Sequence, residues 1–224
     1  MTEQHSDRNQ GQAPGPSLLR TAIAMESGVW RSLYYWARRR PIGVGPDDDV
    51  FAYAATAAPI LWVFVGLSAF EIPLLHLILP WPTVQVVFLI LGAWGLIWML
   101  GFLASYYVHP HIVGPPGLRI RNSMTVDICV PWDVVEQVRP HKRTLSGTRT
   151  VEYEPGQDAN GIVHIAVSSM TNVEIVLHRP IPVAVPKLGE KSVTVVRCYA
   201  DDPAAFIARA RERLAARCAE PDAA

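Results

Sequence analysis

Between Arg40 and Arg119 the chain has no lysine or arginine, and Glu71 is the one acid from residue 51 to residue 108. So long a gap excludes a water-facing surface over those residues. Cysteine is scarce as well: Cys129, Cys198 and Cys218 are odd in number and lack metal-type spacing. A disulfide framework is thereby excluded, and the three read as reduced thiols of a cytosolic domain. Catalytic signatures are also missing. There is no His-Glu-x-x-His, no Gly-x-Ser-x-Gly and no phosphate-binding glycine loop with lysine, and Gly43-Val44-Gly45 lacks a third glycine. No enzymatic activity and no cofactor is therefore expected. Residues 1–17 are polar and rich in Gln, Gly and Pro, with no apolar core. They are read as a disordered tail and not as a secretory signal.

The cation-free stretch holds two apolar runs, residues 51–79 and 83–108, separated by Pro80-Trp81-Pro82. Each exceeds the roughly 20 residues that an α-helix needs to cross about 30 Å of hydrocarbon. The expectation is a hairpin of two transmembrane helices. Arginines before the first run and basic residues after the second place both ends, and both termini, on the cytoplasmic side of a cell membrane. Trp81 then anchors the outer turn.

Residues 18–40 show helical spacing at Leu19, Ile23, Trp30, Leu33, Tyr34 and Ala37, and close on Arg38, Arg39 and Arg40. Trp30 and Trp36 beside that arginine cluster predict an amphipathic interfacial helix, where indoles and guanidinium groups meet lipid headgroups. The competing reading packs the helix on the soluble domain.

After Val108 the period switches to two. Alternation runs through Leu118–Arg121, Val126–Val130, Thr150–Glu154, Ile162–Val167, Val173–Leu177 and Val193–Tyr199, with turn signals between. About seven short strands are predicted. A final helix follows Asp201-Asp202-Pro203, with Phe206, Ile207, Ala210, Leu214 and Cys218 as its apolar stripe. Residues 218–224 read as a flexible tail.

The segments Gly114-Pro-Pro-Gly-Leu-Arg-Ile-Arg121, Val126 to Pro131-Trp132, and Val134 to Val138 resemble bacterial pleckstrin-homology-like (PH-like) domains. The likeness spans residues 113–217, and the layout resembles two-span membrane proteins of high-GC Gram-positive (actinobacterial) bacteria. It implies a strongly bent antiparallel sheet or two packed sheets, closed at one end by the last helix. The fold class expected is thus a membrane α-helical hairpin plus a cytoplasmic, mainly-β PH-like domain with one C-terminal helix. Phosphoinositide binding by some eukaryotic relatives does not transfer with the fold.

Three groups of residues carry candidate sites. Arg119, Arg121, Arg139, Lys142 and Arg143 could face anionic lipid, each contributing about 1 kcal/mol near a charged surface; otherwise they are a solvated strand face. Glu71, His76 and Gln85 form a candidate polar cluster within the spans, either structural or serving transport or sensing. His109 and His111 flank Pro110 on an extended segment, but two donors without a third fall short of a metal site. No metal is expected. Gly92, Ala93, Gly95, Gly101 and Ala104 suit close packing by the first crossing and leave open whether the chain forms a homo-oligomer.

The leading functional expectation is a non-enzymatic scaffold or accessory subunit that binds a protein partner beside membrane lipid. A tethered domain needs no lipid affinity for recruitment. The alternatives are anionic phospholipid binding through the basic patch, and a small transport or sensing role for Glu71 and His76. Nucleic acid is not an expected partner.

Overall fold

A computed structural model describes residues 18–147, 149–156, 160–185 and 188–219. The predicted tail 1–17 and residues 220–224 lie outside the described residues. The chain runs α1 (Leu18–Ala37), β1 (Asp49–Phe51), α2 (Ala58–Ile78), α3 (Pro82–Val108), β2 (His111–Gly114), β3 (Gly117–Asn122) and β4 (Val126–Pro131). A 3-10 turn at Trp132–Val134 leads to β5 (Val135–Thr144), β6 (Val151–Pro155), β7 (Gly161–Ile165), β8 (Met170–Val185), β9 (Gly189–Cys198) and α4 (Pro203–Ala219).

Helices α2 and α3 are long and apolar enough to cross a membrane. Ala58 and Val65 are the buried residues of α2, while Ile60, Val63, Phe64, Leu67 and Phe70 stand exposed. These helices are therefore not the core of a water-soluble bundle, which would bury such a face. The first helix is shorter than the run 51–79. Residues 49–51 form β1 and pair with β2, and the helix begins at Ala58 with Pro59 in its first turn. Glycine sets how closely the helices approach: a Cβ on Gly92 would lie 2.8 Å from Ile72 Cγ1 of α2.

Helix α1 packs along α3 and does not stand alone. Among its described side chains Val29 and Ser32 are buried, whereas Ile23, Trp30 and Tyr34 of the predicted stripe are exposed. The reason is Gly101 on α3, where a Cβ would sit 2.5 Å from Val29 Cγ1 and 2.8 Å from the Val29 carbonyl oxygen. Backbone approach at that point selects the small-residue face of α1. Glu26 then accepts hydrogen bonds from the indoles of Trp30, at 2.9 Å, and Trp98, at 3.1 Å. Gly101→Ala should push α1 outward and cost about 1–3 kcal/mol. Thermal melts in detergent check this, with Gly95→Ala as the control, since nothing lies within 4 Å of a Cβ there.

The remaining elements form two sheets around one core. One has order β1-β2-β3-β4 and is antiparallel; the other has order β5-β8-β9-β7-β6, with β7 parallel to β9. That parallel pair departs from an all-antiparallel expectation. In β4 the pleat is plain, with Val126, Ile128 and Val130 buried and Asp127, Cys129 and Pro131 exposed. Helix α4 closes the core with Phe206, Ile207 and Ala210, and Asp202 caps its start by accepting the Ala205 N–H at 2.9 Å. It stays helical through Ala219, so Cys218 and Ala219 are not part of a tail. The β domain is wider than residues 113–217, since β1 precedes the spans and still joins its sheet.

Candidate functional site

The α-helical part meets the β domain through a buried polar junction. Arg121 of β3 is 2 % exposed, and its guanidinium donates to the Ile42 carbonyl at 2.6 Å and the Gly43 carbonyl at 3.4 Å. His111 lies beneath it. Its Nδ1 accepts the Arg121 backbone N–H at 3.1 Å, so Nε2 carries the proton and donates to the Tyr199 carbonyl at 2.8 Å. Tyr53 stacks on that imidazole, ring centroids 4.6 Å apart, and its hydroxyl accepts the Ser123 N–H at 2.6 Å. Ser105 of α3 donates to the Phe102 carbonyl, so Ser123 is the donor in the hydroxyl pair that joins α3 to the β3–β4 turn. The Tyr53–Ser123 and Ser105–Ser123 bonds join the helical side to the β3–β4 turn, Arg121 reaches the segment after α1, and His111 ties β2 to β3 and to the end of β9.

Burial pushes the His111 pKa down to about 4, helped by the Arg121 charge and opposed by the bond to Tyr199. The imidazole is therefore neutral in the fold. A histidine depressed in this way contributes stability that is complete above the ordinary value near 6.5 and is lost as pH falls toward 4. Denaturant titrations at stepped pH should show that loss, and His111→Gln should flatten it.

The two histidines are thus hydrogen-bonded into the fold and do not converge. His109 Nδ1 lies 3.0 Å from the Ser105 carbonyl, and among the described residues no His, Cys, Asp or Glu trio could hold a metal. The predicted basic residues do not form one patch either. Arg119 grips Asp127 at 2.6 and 2.5 Å, Arg139 binds Glu174 at 2.6 Å and Arg143 binds Glu154 at 2.7 Å. Lys142 is exposed and makes no ion pair among the described residues. Of the intramembrane candidates, Gln85 donates to the His76 carbonyl at 2.9 Å and the Leu79 carbonyl at 2.6 Å, closing the hairpin. Glu71 is exposed on α2 and does not join them.

Sequence reasoning missed a charged row across the second sheet. Arg139, Glu174, Arg197, His164 and Glu152 stand opposite one another on β5, β8, β9, β7 and β6. Arg143 on β5 reaches Glu154 on β6, so the two edge strands of that sheet are linked and the row is enclosed. Glu174 is 1 % exposed and accepts from Arg139 and Arg197, each at 2.6 Å. Long-range pairing built this row, so no local pattern announced it.

Comparison with protein-family models, curated proteins and solved structures finds no match to this chain. The site must be read from its own chemistry.

One surface feature follows from the Gly114–Arg121 segment. Trp132 Nε1 donates to the Gly114 carbonyl at 2.9 Å, tying that turn to Pro131-Trp132. Gly117 has φ +155°, and a Cβ there would lie 2.3 Å from the Val130 carbonyl oxygen. The close backbone approach opens a largely apolar cleft of about 220 Å³ lined by Ile112, Leu118, Val130 and Pro131, with Cys129 and Arg119 beside them. Cys129 is exposed, whereas burial pushes the Cys198 thiol up to about 12.

Proposed function

We propose that this chain is a non-enzymatic membrane anchor whose α2–α3 hairpin crosses the bilayer and displays the β domain on the cytoplasmic side as a docking scaffold for a protein partner. The observation that carries the reading is the buried junction at Arg121, His111, Tyr53 and Ser123, which holds the domain in a fixed pose on the spans. A mere tether needs no such coupling; a scaffold that presents one surface does. The exposed apolar faces of α2 and α3 support the crossing. Two packed sheets closed by α4 support a PH-like architecture, with the parallel β7–β9 pair as its departure. Lipid binding through Arg119, Arg121, Arg139 and Arg143 is the weaker reading, since carboxylates of the fold already hold these cations.

The apolar cleft beside Cys129 suits one aliphatic or aromatic side chain of the partner, the kind of anchor that dominates such interfaces. The test uses full-length C218S protein in native membranes, with Cys129 modified by a bulky maleimide before purification in mild detergent. A partner that co-purifies at near one-to-one ratio with unmodified protein, and is lost after modification or with Cys129→Trp, supports docking at the cleft. Purification of the chain alone, or a complex indifferent to both changes, removes it. Thiols introduced at Thr83 should label from outside the cell; labelling only after lysis reverses the orientation.

A further inference from the structure

An open cleft lies where the spans end. Its volume is about 440 Å³, and it is lined by Trp36, Arg39, Arg40, Val50, Tyr107 and Pro110. Its aromatic wall is the stacked pair Trp36 and Tyr107, ring centroids 6.5 Å apart, and Trp62 in the first part of α2 lies 6.5 Å from Trp36. The cavity therefore opens where the exposed apolar belt of α2 and α3 stops. That volume falls in the range of small-molecule sites.

Charge singles it out. The arginines of the β sheets and of α4 that bear on the junction are met by carboxylates or carbonyls, yet Arg39 and Arg40 form no ion pair and no side-chain hydrogen bond among the described residues. Two nearby acids are engaged elsewhere: Asp48 accepts the Gly45 N–H at 2.7 Å, and Asp49 is held by Arg209 and Arg213. The backbone adds a second sign. Helix α1 ends in a Schellman motif, with the Arg39 N–H on the Trp36 carbonyl at 2.9 Å and the Arg40 N–H on the Tyr35 carbonyl at 3.1 Å. Arg39 takes the left-handed position of that motif, φ 52°, where glycine is the usual residue. The fold thus holds an arginine at a position that favours glycine, beside a second unpaired arginine and an aromatic wall.

We propose that this cavity binds one anionic phospholipid, its phosphodiester held by Arg39 and Arg40 and its glycerol end against Trp36 and Tyr107. Guanidinium groups bind phosphate oxygens through paired N–H donors, and the adjoining apolar belt gives the acyl chains their continuation. The inference rests on the proposal that α2 and α3 cross the bilayer. Full-length protein in nanodiscs of mixed phosphatidylglycerol and phosphatidylcholine, released into native mass spectrometry, tests it. One retained phosphatidylglycerol above its bulk share is expected, with the preference falling about fivefold for each arginine removed in R39G and R40Q. R39G removes the charge while relieving the backbone, so it keeps the fold intact. R38Q is the control, because Arg38 sits over the Tyr34 ring at 4.6 Å and does not line the cavity. Equal retention of both lipids, an R39G/R40Q variant that keeps the preference, or an equal loss in R38Q would overturn the site. Inorganic phosphate that binds the protein while the lipid ratio stays at bulk would assign the cavity to free phosphate and overturn the lipid. Failure to enter nanodiscs at all would overturn the spanning proposal as well, whereas entry without preference overturns this inference alone.

Discussion

Glu174→Ala should destabilise the β domain by about 3–5 kcal/mol, the usual cost of stripping one partner from a buried ion pair. The carboxylate sits between two guanidinium groups of unequal exposure. Arg139 is half exposed, so water replaces Glu174 there at small cost; Arg197 is 11 % exposed and already has an Nη1 without a partner. The penalty therefore falls on Arg197. Glu174→Gln should lose less, since an amide oxygen still accepts one guanidinium N–H. Pairing E174L with R197M should recover most of the loss, because neither charge is then stranded. Denaturant titrations of the four proteins decide the matter, and a cost under about 1 kcal/mol for Glu174→Ala would show that the row is more hydrated than its burial implies.

The pH dependence has a definite sign. Burial works against ionised Glu174, but hydrogen bonds from Arg197 and Arg139 outweigh it and hold the pKa below the ordinary value near 4.5. Its stabilisation is complete above that value and disappears as pH falls through the lower folded value. His111 acts earlier on the same acid limb, between 6.5 and about 4. Acid unfolding should therefore show two successive losses, the first reduced by His111→Gln, with the depressed His109 and His164 supplying the remainder, and the second reduced by Glu174→Gln, with Glu154 and Asp49 supplying the remainder.

The parts of this fold that composition fixes could be read directly from the chain. Two long apolar helices, the alternation in β3 and β4, and the Phe206-Ile207-Ala210 stripe all appear where local pattern places them. What escaped was long-range. Phe51 to Ala57 carry no charge and continue into the span without a break, so local composition did not separate strand β1 from helix α2; Pro59 in the first turn was the available marker. The resemblance implies a strand at Val134 to Val138, but the extension of β5 to Thr144 had no local signal, because Arg139, Lys142 and Arg143 follow Val138 with no apolar alternation. The ion pairs made by the basic residues escaped for a related reason. A sequence shows the sign of each charge but not that Glu174, 35 residues from Arg139, stands opposite it. On α1, large aromatics drew the predicted stripe, while contact was decided by Gly101 on another helix.

Arg121→Ala should cost about 3–4 kcal/mol, and its distribution matters more than its size. The guanidinium supplies charge-assisted hydrogen bonds to the Ile42 and Gly43 carbonyls, and the stem fills space that alanine leaves empty. Asp127 is not stranded by the change, because Arg119 holds both of its oxygens. The loss therefore concentrates where the segment after α1 meets β3. Hydrogen exchange in nanodiscs should show amides at Ile42, Arg121 and Ser123 opening about a hundredfold more often, with α2 and α3 unchanged. Arg121→Lys keeps the charge but offers an ammonium in place of a planar fork, so an intermediate effect is expected. Uniform acceleration across β5 to β9 would instead mean that Arg121 supports the core as a whole. In that case the fixed pose of the domain would have to come from Tyr53, Ser123 and Ser105 alone, and Tyr53→Phe, which removes the acceptor of the Ser123 N–H, would become the variant that releases the domain from its anchor.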